Sequence, residues 1–143
     1  VVRLDFPESW RAILVLDPRD MGVHGEKETA AFKALPDFPE SLAGHLCRLT
    51  LMRLLPGIVE RDIAAFGAAL GEIQSIVGGH FSAAQGGAPW SSAAVGRIVA
   101  RLGEAGATGL GQSSWGPTGF AFLPDEAAQQ TAEVIASAVA QAT

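Results

Sequence analysis

Only one cysteine, Cys47, occurs in the 143 residues, so no disulfide can close within the chain. A reducing compartment, the cytoplasm, is the expectation that follows. Charge is also scarce: charged residues make up 17% of the chain and the formal net charge is -5. That sign excludes a protein built to neutralise nucleic-acid phosphates and one that rests on an anionic membrane surface. No apolar run in the sequence reaches the roughly 20 residues of a spanning helix, and no signal-peptide pattern opens the chain. Metal-ligand spacing is lacking, as is any recognisable nucleophile–base pair. His24 and His45 have no partner at a useful spacing and read as surface or helix residues. Cys47 reads as a small core residue, and Asp62, beside Arg61, as a solvated helix-edge carboxylate.

What is present suits one compact domain: 48% hydrophobic residues for a core, with 17 glycines and 8 prolines for loops. Val2, Leu4 and Phe6 alternate with Arg3 and Asp5, which predicts a half-buried strand. The apolar run Ala12 to Leu16, led in by Trp10, predicts a second strand in a hairpin with the first. A short helix is expected over Glu26 to Leu35. Asp37 and Glu40 resemble a capping box for a further helix, with Leu42, Leu46, Leu49 and Met52 inward and a stop at Pro56. Val59, Ile63, Phe66, Leu70, Ile73 and Val77 recur by four and three, one apolar stripe ended by Gly78-Gly79. Ser91 or Ser92 can cap a helix carrying Val95, Ile98, Val99 and Leu102, with Gly106 as its stop. Gly119 to Leu123 reads as a strand. Asp125 opens a last helix with Thr131, Val134, Ile135, Ala138 and Val139 inward. The fold class expected is α+β, an antiparallel sheet with helices packed on one face.

No charged residue occurs between Ile73 and Gly96, or between Ala105 and Pro124. Both stretches are rich in Gly, Ser, Ala and Gln, and loops of that kind allow close approach of a ligand, an anion above all. In the second stretch lie Gly109, Gly111, Gln112, Ser113, Ser114, Trp115, Gly116, Pro117 and Thr118. The glycines would let main-chain N–H groups converge on an oxygen-rich group, while Ser113, Ser114 and Thr118 add hydroxyls and Gln112 an amide. The same residues also fit a tight hairpin with a packed tryptophan. In the first stretch His80 is either an acid–base group or a residue packed beside Phe81, and Gln85 either a substrate contact or a loop-stabilising amide. No residue stands out as catalytic.

The Gly109 to Thr118 segment resembles the third motif of the GHMP small-molecule kinase superfamily, a Gly/Ser loop of its carboxy-terminal domain. The form Gly109-x-Gly111-Gln112-Ser113-Ser114-Trp115-Gly116-Pro117-Thr118 is similar to that of the beta-ribofuranosylaminobenzene 5'-phosphate synthases, within that superfamily. Pro7-x-x-Trp10, Leu54-Leu55-Pro56 with Glu60 and Asp62, Phe66-Gly67 with Ile73-Gln74, and Gly78-x-x-Phe81 with Gln85-Gly86-Gly87 agree as well. The resemblance implies a ferredoxin-like carboxy-terminal domain. It also implies a reaction in which phosphoribosyl pyrophosphate meets 4-aminobenzoate or a close relative, with loss of pyrophosphate and carbon dioxide, in tetrahydromethanopterin biosynthesis. It further implies magnesium, phosphate binding by the Gly111 to Thr118 loop, and Trp115 as a wall for the aromatic acceptor. The amino-terminal domain with its own phosphate loop is absent from this sequence, which opens on Val1 and not Met. The expectation is therefore a piece of a larger enzyme, inactive alone, with cations supplied by the other half, by metal, or by Arg97 and Arg101. Two other readings stay open: an ATP-dependent kinase domain of the same superfamily, and a non-catalytic ligand-binding or dimerisation module using the Val59 to Val77 stripe.

Overall fold

A computed structural model describes residues 2–19, 22, 25–114 and 116–141. Strand β1 spans Trp10–Leu16, followed by helices α1 (Glu26–Ala34) and α2 (Glu40–Leu49). A π-helical turn over Thr50–Leu54 leads into α3 (Leu55–Val59), and then come α4 (Ile63–Phe81) and a 3₁₀ turn, Ser82–Gln85. Helix α5 (Ala93–Glu104), strands β2 (Thr108–Gln112) and β3 (Thr118–Pro124) and helix α6 (Asp125–Gln141) complete the order. The sheet is antiparallel in the order β1-β3-β2, with Trp10 opposite Pro124, Leu16 opposite Thr118 and Gly111 opposite Phe120.

The α+β class and the antiparallel sheet stand as expected, but the helices do not share one face. Strand β3 explains why. Its run Gly119-Phe120-Ala121-Phe122-Leu123 is apolar at every position, the mark of a strand covered on both sides. Gly119, Ala121 and Leu123 are buried toward α5: a Cβ on Gly119 would stand 2.6 Å from Val95 Cγ1 and from Val99 Cγ2. Helix α6 packs beside α5 and contributes the buried Ala128 and Thr131. Phe120 and Phe122 point the other way. Phe122 meets Phe66 of α4 edge-on at 5.1 Å, and α4 lies over β2. Gly119 thus lets α5 approach β3 closely, while rings fill the other face.

Residues 2–6 form no strand, and β1 pairs with β3 instead of with them. Phe6 packs at 5.5 Å from Trp10, 6.0 Å from Phe66 and 5.8 Å from Phe122, so the alternation reflects an aromatic anchor. Helix α2 starts at Glu40, with Pro39 and not Asp37 at its cap and no side-chain bond there. The ring of Pro39 disfavours helical backbone at Phe38, which blocks an earlier start. The helix also runs past Pro56, because the wide turn over Thr50–Leu54 places that proline in the first turn of α3, where no N–H is needed. The continuous Glu40–Val59 helix reaches 20 residues with mean hydropathy 1.2, long and apolar enough by composition to cross a membrane. It nevertheless carries His45, Arg48 and Arg53 along its length and buries Leu49 and Gly57 in this domain.

Leu42 and Met52 are exposed, not inward, and so are Cys47, Val59, Val134 and Val139. The side chain of Ala138 lies outside the described residues. Asp62 is the N-cap of α4, its Oδ1 accepting from Ala65 N at 2.9 Å, so the apolar stripe starts at Ile63. The helix passes through Gly78-Gly79 to Phe81, and the turn after it ends at Gly86 with φ of 73°. Ser92, not Ser91, caps α5, and Gly106 follows with φ of 97°.

Ser92 does more than cap. Its hydroxyl donates to Asp17 Oδ2 at 3.0 Å while accepting from Val95 N at 3.3 Å, which ties the end of β1 to the start of α5. Asp17 also accepts from Arg19 N and Nε, at 3.1 and 3.0 Å. The Arg19 side-chain bond, then its backbone bond and the Ser92 hydroxyl, hold the Asp17 carboxyl down from 3.8 to about 2. A depressed carboxyl stabilises the fold above its unfolded value and loses that contribution as pH falls. Melting temperature is therefore expected to drop as pH falls from about 4 to about 2, and Asp17→Asn to lose part of that slope. Equal slopes in parent and variant would remove Asp17 from the acid response.

Candidate functional site

The segment singled out in the sequence folds as the β2–β3 hairpin. Gly109, at φ of 60°, forms a bulge where the register shifts between Thr108 and Gly111. A Cβ there would press on Phe122 at 3.0 Å and Leu70 at 3.3 Å. A Cβ on Gly111 would stand 2.5 Å from Phe120 Cζ and 2.6 Å from Gln74 Cγ. Both glycines therefore admit α4 and the phenylalanines against β2. Ser113 N donates to Thr118 O at 2.8 Å and Gly116 N to Ser113 O at 3.1 Å, closing a turn with Ser114 at φ of 53°. The N–H of Gln112 goes to Gln74 Oε1 at 3.1 Å. Of the main-chain amides expected to form a cradle, the N–H groups of Gln112, Ser113 and Gly116 are engaged inside the domain. Trp115 lies outside the described residues.

Side-chain amides surround the hairpin as well. Gln112 Oε1 accepts from Ser91 N at 2.8 Å, and a main-chain N–H can only donate, so the carboxamide orientation is fixed. Its Nε2 then donates to Gln85 Oε1 at 3.0 Å and to Ser114 O at 3.1 Å. Ser91 Oγ donates to Gly116 O at 2.9 Å. Three glutamines from α4, the 3₁₀ turn and β2 are so joined through Gln112. Gln74 and Gln85 each present Oε1 to this network, which leaves both of their NH₂ groups without a partner among the described residues.

These groups border a cavity of about 640 Å³. Its described walls include Gln74, Ser75, Gln85, Gly111, Gln112 and Ser114, with Phe32, Val77, Phe81, Pro89, Trp90 and Leu110 as apolar surface. None of the described lining residues is charged. A diphosphate moved into such a wall would lose hydration with no cation to replace it. A flat ring with one or two polar substituents fits: aromatic faces for the ring and carboxamide and hydroxyl donors for its oxygens.

Of the residues expected at a site, Gly111, Gln112, Ser114 and Gln85 line the cavity, while Gly109, Ser113, Gly116 and Thr118 shape the hairpin around it. His80 is not among the described lining and packs against Phe38 at 4.9 Å and Phe81 at 5.3 Å. Arg97 and Arg101 line a different cavity and do not reach the hairpin walls. Among the described residues no three His, Cys, Asp or Glu side chains converge, and no described residue of the cavity wall is a carboxylate, so these residues do not fit magnesium. His45 pairs with Glu72 at 2.7 Å. Gln74, Trp90 and Ser91 are site residues that sequence reasoning passed over. A carboxamide between Leu70 and Val77 on an apolar helix face was the available signal.

The family model for the GHMP kinases C terminal matches residues 54–141. The beta-ribofuranosylphenol 5'-phosphate synthase of Methanothermobacter thermautotrophicus is 32% identical over 138 residues, 94% of this chain and 40% of that protein. Proteins of the same name from Archaeoglobus fulgidus and Methanocaldococcus jannaschii are 38% and 32% identical over 76 and 74 residues, 53% and 52% of this chain. They are covered over 24% and 22% of their own lengths. The chain thus spans well under half of each of these relatives.

Proposed function

The chain belongs to the GHMP kinase carboxy-terminal family, and from that footing we propose that it is the carboxy-terminal part of a synthase that attaches a ribose 5-phosphate to an aromatic ring. The relatives named for a ribofuranosylphenol product support this reading. The observation that carries it in this chain is the aromatic-walled cavity built around Gln112, with no charge among its described residues. That cavity takes the acceptor, a benzoate with an electron-donating para group. A phenol product makes that group a hydroxyl, and 4-aminobenzoate is the amino counterpart.

The ring carbon bearing the carboxylate attacks the anomeric carbon of phosphoribosyl pyrophosphate, and the bond to pyrophosphate breaks with its electron pair. The carboxylate then leaves as carbon dioxide, and the released pair restores aromaticity. Residues of this half hold the ring in line: Trp90 and Phe81 cover its faces, and the free NH₂ groups of Gln74 and Gln85 donate to its oxygens. The pyrophosphate is held by the remainder of the enzyme, since no described cation lines this cavity.

The test is turnover of the full-length protein. Phosphoribosyl pyrophosphate with 4-hydroxybenzoate should release pyrophosphate and carbon dioxide in equal amounts, with 4-aminobenzoate as the comparison acceptor. ATP should neither bind competitively nor be hydrolysed. ATP-dependent phosphoryl transfer to a small alcohol, with no release of carbon dioxide, would replace this reading by the kinase one.

A further inference from the structure

A second cavity, of about 630 Å³, lies where the end of β1 meets α5 and α6, and its charge is opposite to that of the chain as a whole. Arg19, Arg97 and Arg101 line it, against a single described carboxylate, Asp17. Asp17 is already engaged by Arg19 and by the Ser92 hydroxyl. Arg97 and Arg101 are exposed, and their side chains have no hydrogen bond or ion pair with a described residue. They stand four apart on α5, which puts two like charges on one helix face, an arrangement that repels in the absence of an anion. The rest of the wall is apolar: Leu16, Val95, Ile98, Ile135 and Val139.

From these observations we propose that this cavity is a binding site for a small organic anion, one phosphate or carboxylate head on an apolar body. Two guanidinium groups offer forked donors that match such a head in a bidentate manner. The aliphatic side chains of α5 and α6 cover the body of the ligand. Position adds to the argument. The Ser91–Ser92 pair links wall residues of the two cavities: Ser91 binds Gln112 and the hairpin, and Ser92 binds Asp17. The arginine cavity is thereby tied, through the turn that opens α5, to the hairpin that walls the acceptor cavity. The proposal does not depend on the acceptor reading, because the two sites share no lining residue.

Phenyl phosphate is the probe, titrated calorimetrically into the full-length protein at low and at high salt. Binding should weaken as salt rises. Arg97→Gln with Arg101→Gln should weaken it at least ten-fold, while Gln74→Ala, in the other cavity, should leave it unchanged. If the double variant melts early, each single variant is read in the same way, and at least a three-fold loss is expected from each. Parent-like affinity in the arginine variants would overturn the site. So would loss of binding in Gln74→Ala, which would place the probe in the acceptor cavity.

Discussion

Gly67→Ala is expected to destabilise the domain by about 3 kcal/mol, against a helix-propensity gain of about 1 kcal/mol for the same change in an exposed helix. Gly67 lies inside α4, where alanine is ordinarily the better residue. Here a Cβ would stand 1.9 Å from Thr108 Oγ1, 2.3 Å from its Cγ2 and 2.5 Å from its Cβ. Rotation about χ1 can move the first two atoms. It cannot move Thr108 Cβ, which is fixed to the main chain of β2, so α4 would have to lift off the strand. That movement would loosen the Phe66–Phe122 contact and carry Gln74 away from Gln112 N. A fall in melting temperature of about 10 °C is expected. Gly71, one turn on, has nothing within 4 Å of its added Cβ, so Gly71→Ala should instead stabilise by up to about 1 kcal/mol. Thr108→Gly in the Gly67→Ala background should recover part of the loss. Melting curves of the three variants decide it, and equal signs for Gly67→Ala and Gly71→Ala would refute the close contact.

Gln74→Glu should leave the fold intact and remove acceptor binding, with a rise in KM for the aromatic acid of about 100-fold in the full-length enzyme. A carboxylate at this position still accepts the Gln112 N–H bond, so the hairpin keeps its tether. It cannot donate to the ligand, and it puts a negative charge into a wall with no described charge, facing an anionic acid. KM for phosphoribosyl pyrophosphate should change little, because that ligand is assigned to the rest of the enzyme. Gln112→Ala is the structural counterpart. It strands Ser91 N and removes the link to Gln85, a loss of about 2 kcal/mol together with a fall in kcat/KM. An unchanged acceptor KM in Gln74→Glu would take the ring out of this cavity.

The glutamine cluster shows how far the site could be read from the chain. Gln112, Gln85 and Ser114 drew attention because their stretches lack charge and carry Gly, Ser and Gln, and all three line the cavity. Part of the main chain expected to bind a ligand is engaged elsewhere. Free loop amides were expected at an anion, whereas Gln74, 38 residues away, takes the Gln112 N–H, and Thr118 takes that of Ser113. Nothing near in sequence announces a bond of that separation. Similarly, Gly111 reads as a flexible loop position, yet its role is set by Phe120 across the ladder and Gln74 on α4.

Local order was decided by the sequence itself. The four-and-three spacing from Ile63 to Val77 makes α4, Ser92 and Gly106 bound α5, and the run from Gly119 to Leu123 makes a strand. These depend on neighbours within one or two turns, whose geometry the chain fixes without help. The α+β class, the family and the uncharged character of the hairpin region were legible on the same ground. Tertiary structure alone decided that β1 pairs with β3 and not with residues 2–6, that helices cover both faces of the sheet, and that the arginines of α5 face a second cavity. Such outcomes rest on contacts between residues far apart along the chain, chosen by which apolar faces and polar groups find partners when the whole domain packs.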